Sequence, residues 1–340
     1  MTETTATLPE TRLTFPRKYV PVAVTAGLFV AMLVAGGIRY EGFASGQVVL
    51  NVFVDNAFLL VVAVGMTFVI VAGGIDLSVG AVVALSTMIS ASLLADPGLP
   101  APLVIALVLA AGSLLGLGMG AVIHYFEIQP FIVTLAGMFL ARGLCYVIGT
   151  ESIPITDGTF TAVADARIEL GAGMWISPSV VIAAVVVLVA GYVLHYTRLG
   201  RAVYAVGGDR QSALLMGLPV ARTTIAVYTI SGLCSALGGL LMSFYMLSGY
   251  GLNAVGMELD AIAAVVIGGA LLTGGSGYLV GTVLGVLVLG LTQTILSFEG
   301  TLSPWWTSIF IGLLLFVFIV LQRFIGVRRT RGGAPVATAA

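Results

Sequence analysis

Six polar side chains stand where the surrounding sequence is apolar: Asp55 with Asn56, Asp76, Arg142, and Glu258 with Asp260. An ionisable group at membrane depth costs about 2.5 kcal/mol or more, so each marks a function unless a helix end or a partner accounts for it. Carboxylate and amide groups can hydrogen-bond the hydroxyls of a neutral polyhydroxylated solute. A lone carboxylate such as Asp55 or Glu258 could equally couple transport to an ion gradient. Asp55 and Asn56 sit a third of the way into their span with no helix terminus to serve. They are therefore translocation-path candidates, together with Glu258 and Asp260. Asp76 has a plainer reading, because it precedes a span whose free N–H groups it can cap. Glu258 and Asp260 occupy a first helical turn, which favours anions for the same reason. Arg142 is a candidate partner for one of these acids.

The sequence offers no catalytic or metal constellation. His124 and His195 are separate and lie at span ends, and Cys145 and Cys234 lie inside apolar stretches. Lys18 is the sole lysine and stands outside any G-x-x-x-x-G-K-[ST] loop, so the chain is not expected to be an ATPase or to carry a cofactor. If ATP drives its work, a separate polypeptide binds the nucleotide.

The elements that must position these residues follow from composition. The 340 residues are 59% apolar and only 9% charged, with a formal charge of −1 and a mean hydropathy of +1.13. This excludes a soluble enzyme and offers no basic face for nucleic acid. The expectation is an all-α polytopic inner-membrane protein with about ten transmembrane helices. They are placed near 19–37, 48–72, 77–95, 101–123, 131–149, 177–196, 223–248, 258–273, 277–297 and 305–323, and the glycines of the window 258–281 are consistent with one long span or a broken one.

Residues 1–18 and 324–340 are expected to form tails around a single transmembrane domain, 19–323. With both termini cytoplasmic, eleven of the fourteen Lys and Arg residues fall inside. These are Arg12, Arg17 and Lys18, then Arg198, Arg201, Arg210 and Arg222, then Arg323, Arg328, Arg329 and Arg331. Trp175, Trp305 and Trp306 then mark the outer interface. An outer loop, 150–176, and an inner loop, 197–222, are the longest connections. In the inner loop Arg201 and Arg210 flank a YAVGG turn. The Ala/Leu/Met-rich residues 212–216 follow, ending at Gly217 and Pro219, and suggest one short amphipathic helix that fits a partner groove.

Glycine is abundant, with 44 residues. Gly112, Gly116 and Gly120, and Gly281 with Gly285, recur at the four-residue spacing of close helix packing. Others form turns. Gly73-Gly74-Ile-Asp76-Leu-Ser78-Val-Gly80 matches Gly274-Gly275-Ser-Gly277-Tyr-Leu-Val-Gly281 at four of eight positions, which hints at an internal duplication.

Residues 65–85 (GMTFVIVAGGIDLSVGAVVAL), 200–218 (ending YAVGGDRQSALLMGL) and 258–277 (ELDAIAAVVIGGALLTGGSG) resemble permeases of bacterial ABC importers for monosaccharides, the ribose/xylose/galactose group. The likeness spans about 19–323. Within the group, residues 56–80, 131–143, 151–155 and 298–306 are most similar to the second permease subunits of galactofuranose importers.

The resemblance implies alternating access between two permease subunits, this chain and a homologous one. It also implies cytoplasmic ATPase subunits and a periplasmic sugar-binding protein. The ATPase would engage a coupling loop that includes Gly200, Arg201, Tyr204, Gly207, Gly208 and Gly217, and the binding protein would dock at 150–176. An ion-driven secondary transporter of a small neutral solute is the alternative reading, and a membrane scaffold with no solute path a third.

Overall fold

A computed structural model describes residues 20–95, 98–171, 173–301, 303 and 305–331. The expected N-terminal tail, with Arg12, Arg17 and Lys18, lies outside the described residues. The helices are α1 (Val20–Arg39), α2 (Gly46–Val71), α3 (Val79–Leu94), α4 (Ala101–Tyr125), α5 (Pro130–Ile148), α6 (Gly158–Asp165) and α7 (Pro178–Tyr196). There follow α8 (Arg198–Gly208), α9 (Arg210–Leu215), α10 (Val220–Met246), α11 (Met257–Ile267), α12 (Leu279–Glu299) and α13 (Trp305–Arg331). The strands are β1 (Ile153–Pro154), β2 (Ile168–Gly171), β3 (Met174–Ile176) and β4 (Ser248–Gly249). The fold is thus helical, but not purely so as expected. β1 pairs antiparallel with β4, and β2 with β3.

Helix starts follow from local chemistry. Ser45, Asp157, Thr197 and Asp209 each accept a backbone N–H at the head of α2, α6, α8 and α9. Proline stands in the first turn of α4, α5 and α7, where no N–H is required.

Among the described residues, seven helices are long and apolar enough to cross a membrane: α1, α2, α4, α5, α7, α10 and α12. This is a multi-pass membrane protein. α2 is its axis, continuously buried from Leu59 to Val71. α10 packs against α2 and, on another face, against α4. There the glycine stripe does its work: a Cβ on Gly112 would meet the Gly232 carbonyl oxygen at 2.6 Å, and one on Gly120 would lie 2.9 Å from the Ile225 Cα. Gly281 and Gly285 likewise bring α12 onto the backbone of α11 and its C-terminal cap, at Ala264 and Gly268. Both stripes serve packing within the chain.

Two of the ten expected spans are shorter than drawn. α3 has 16 residues and α11 has 11, about 24 and 16 Å at 1.5 Å per residue. The eighth window, 258–273, is broken: its helix stops at Ile267, and Gly268–Thr273 belong to a turn. The missing length of α11 is supplied on its N-terminal side by a non-helical run of turns, 250–256, that follows β4. Gly249 lies against the Thr87 carbonyl, Asn253 reaches Thr87, and the Ala254 carbonyl lies beside Gly80, so residues 249–256 run antiparallel along α3. At its other boundary the tenth window ends too early, since α13 continues to Arg331.

Candidate functional site

Four polar arrangements follow from this packing. The first is a cavity of about 440 Å³ walled by α2, α10 and α12. Asp55 faces it, and the Tyr245 hydroxyl donates to Asp55 Oδ1 at 3.1 Å. Asn51, Gln293, Thr294 and Ser297 add polar groups, and Phe58 and Phe298 an apolar wall. The sequence presents Asp55 and Asn56 as a pair, but the fold separates their roles. Asn56 is buried, donates to the Val52 carbonyl at 2.9 Å and packs against Gly290. Its amide therefore bonds within α2 and packs on α12, although Asn56 still lines the cavity.

The second is a buried knot around Asp76. Its Oδ1 accepts the Ser78 N–H at 2.9 Å and the Ser78 hydroxyl at 2.6 Å, while Oδ2 accepts the Ser231 hydroxyl at 2.7 Å. Asp76 does meet an N–H at the head of α3, as a capping residue should. That N–H belongs to the capping position itself, however, and Ser78 makes no side-chain cap bond. The carboxylate also fastens the link between α2 and α3 to α10, a role no local pattern could show. Nearby, the Tyr228 hydroxyl is buried with no hydrogen-bond partner among the described residues.

The third is the head of α11. Glu258 and Asp260 occupy its first turn as expected, but neither lines the Asp55 cavity. Glu258 Oε2 is buried without a hydrogen-bond partner among the described residues and lies against Gly80 at the head of α3. Among the described residues Arg142 bonds no acid. Its Nη1 donates to the carbonyls of Gly251 and Asn253 at 2.5 and 2.9 Å. Non-helical backbone at membrane depth needs such donors wherever water does not reach it.

The fourth is a joint at the opposite end of the bundle. The inner loop forms two helices, α8 and α9, instead of one, and the YAVGG segment closes α8 as helix instead of forming a turn. Gly207 sits on the Val71 carbonyl, 2.8 Å from Gly275 N when given a Cβ. The Gly275 N–H donates to the Val71 carbonyl at 2.9 Å. Gly274 has a φ of +85° and its Cβ would fall 2.7 Å from the Gly73 Cα. The two matching glycine segments therefore meet face to face, with α8 wedged against both.

Tyr204 fastens the wedge, its hydroxyl donating to the Gly277 carbonyl at 2.7 Å. Burial pushes that phenol up to about 12, with Tyr278 adding to the shift. Gly200 packs on the last turn of α7, and Arg201 is exposed. Asp209 links α8 to α9. Its Oδ2 accepts the Ser212 hydroxyl at 2.8 Å, and its Oδ1 accepts the Ser212 and Gln211 N–H groups at 3.2 and 2.9 Å. These bonds, the hydroxyl first, hold its carboxyl below the usual carboxylate value. The turn that follows α9 passes through Gly217, with a φ of +74°, and Leu214, Leu215 and Met216 project with 63, 84 and 69% of their surface exposed.

Residues 48–319 match the family model described as the branched-chain amino acid transport system / permease component. Relatives include the inner membrane ABC transporter permease protein YjfF of Escherichia coli K12, 44% identical across 94% of this chain and 97% of its own length. The fructose import permease protein FruG of Bifidobacterium longum is 41% identical across 93% and 94%. The ribose import permease protein RbsC of Haemophilus influenzae is 38% identical across 84% and 88%. No solved structure matches.

Proposed function

The chain belongs to the family of branched-chain amino acid transport system permease components, and from that premise we propose that it is a membrane subunit of a binding-protein-dependent ABC importer for a monosaccharide, seated in the bacterial inner membrane. Relatives named for ribose and fructose import support the sugar class, and one named for the inner membrane supports the location. The observation that carries the ATP-driven reading is the α8–α9 joint. It is a wedge packed closely on the glycine turns that projects Leu214, Leu215 and Met216 outward, suited to a partner groove.

In this reading α3, α11 and α13 complete about ten crossings, both termini are cytoplasmic, and the loop with β1, β2 and β3 faces the periplasm. The path comprises Asp55 and Asn56, with Glu258 and Asp260 deeper beside α3. The cargo is galactofuranose, supported by the likeness of residues 131–143, 151–155 and 298–306 to galactofuranose permease subunits. The second permease is a homologous chain, and ATP is bound by separate cytoplasmic subunits.

The test is uptake by proteoliposomes holding both permeases and the ATPase, with the sugar-binding protein added. Labelled galactofuranose enters with ATP and without an ion gradient. Uptake that follows a proton or sodium gradient and ignores ATP refutes the reading in favour of a secondary transporter.

A further inference from the structure

The Asp55 cavity has a chemistry more specific than a polar path. Its volume of about 440 Å³ falls within the roughly 300–1,000 Å³ of small-molecule sites. Among the described residues, Asp55 is the one charged side chain lining it, and no basic side chain does. Tyr245 lies beside Phe58, ring centroids 6.0 Å apart, while its hydroxyl holds Asp55. One wall therefore offers aromatic surface to the C–H groups of a ring, and the same Tyr245 bonds a hydrogen-bond acceptor. Gln293, Thr294 and Asn51 supply neutral polar groups nearby.

Resting on the importer reading above, we infer that this cavity is a recognition site for a neutral sugar ring that rejects anionic sugars. Asp55 accepts hydroxyl hydrogens, Tyr245 is its positioning residue, and the uncompensated carboxylate repels uronates and sugar phosphates. An anionic solute would meet like charge with no arginine or lysine in the lining to offset it. A neutral ring loses only hydration that the wall replaces.

The experiment uses the reconstituted complex with Ser297→Cys as a reporter in the cavity. The native Cys145 and Cys234 are buried. Rates of modification by a cationic trimethylammonium and an anionic sulfonate methanethiosulfonate are compared, relative to their rates with a free thiol. The cationic reagent is favoured about tenfold, and adding Asp55→Asn removes the preference. High concentrations of galactose, ribose or fructose slow modification, whereas glucuronate at matched ionic strength does not. Tyr245→Phe weakens sugar protection about tenfold while retaining the reagent preference, a pattern that a misfolded variant would not give.

The inference is overturned if Asp55→Asn leaves the reagent ratio unchanged, or if glucuronate protects as well as galactose. Uptake without ATP, with the Ser297→Cys labelling pattern intact, would sink the importer reading and spare the site. ATP-driven uptake, with Ser297→Cys labelling indifferent to reagent charge and to sugar, would do the reverse.

Discussion

Replacing Gly207 by alanine would place a methyl group between the end of α2 and the turn before α12. The new Cβ would lie on the Val71 carbonyl oxygen and 2.8 Å from Gly275 N, where ordinary contact begins at 3.4 Å. Backbone atoms line the contact, so no side chain can swing away. α8 must back off by more than half an ångström, which strains or breaks the bond from Gly275 N–H to the Val71 carbonyl. Overpacking costs about 1–3 kcal/mol and a lost hydrogen bond about 1 kcal/mol. Taking about 2 kcal/mol against the seated state, its occupancy relative to the unseated state falls about 30-fold.

Neighbouring Gly208 provides the control, because a Cβ there meets nothing within 4 Å. In proteoliposomes, Gly207→Ala should lower sugar delivered per ATP hydrolysed and raise hydrogen exchange at Gly275, while Gly208→Ala changes neither. Equal behaviour of the two variants would refute the idea that α8 works as a seated wedge.

Arg142→Leu removes both donors to the Gly251 and Asn253 carbonyls, at about 1.5–3 kcal/mol per charge-assisted bond. Thermal unfolding in detergent should show a large loss, with exchange rising first in 250–256. Asp76→Ala leaves three donors without their acceptor and should destabilise by at least about 2 kcal/mol. Asp76→Asn keeps an acceptor without the buried charge and should be far milder, so equal melting of the two would remove Asp76 as an anchor. Because the folded carboxyl of Asp209 titrates below its unfolded value of about 3.9, its contribution to α9 is complete above that value. It is lost as pH falls through the lower, folded one. Amide protection at Gln211 and Ser212 should follow that course, and Asp209→Ala should lack it at every pH.

The long helices were legible because unbroken apolar length is a sufficient signal. The short α11 was not. Residues 249–256 read as a connecting loop, since sequence has no mark for a run of turns packed along another helix, and Gly268–Thr273 read as helix because they are apolar. Asp55 stood out as a charge in an apolar run, but its partner Tyr245 lies 190 residues away and looks like any aromatic near a span end. The partners of Arg142 are carbonyls, which every residue possesses, so only the fold could identify them. The likeness of the two glycine segments was visible. That they touch was not, because contact between distant turns depends on how α2, α8 and α12 are arranged.

One consequence concerns α11, whose 11 residues make a rod about 16 Å long. Its upstream end follows the turns that leave β4, itself paired with β1, and its downstream end leads into the turn that rests on α8. Loops on opposite faces of the bundle thus each have a grip on one end of the same short element. A displacement of about 1 Å at either grip corresponds to a tilt of about 4° over that length. A full-length span would tilt by about half as much. Glu258, riding on the first turn, would move with it across the head of α3.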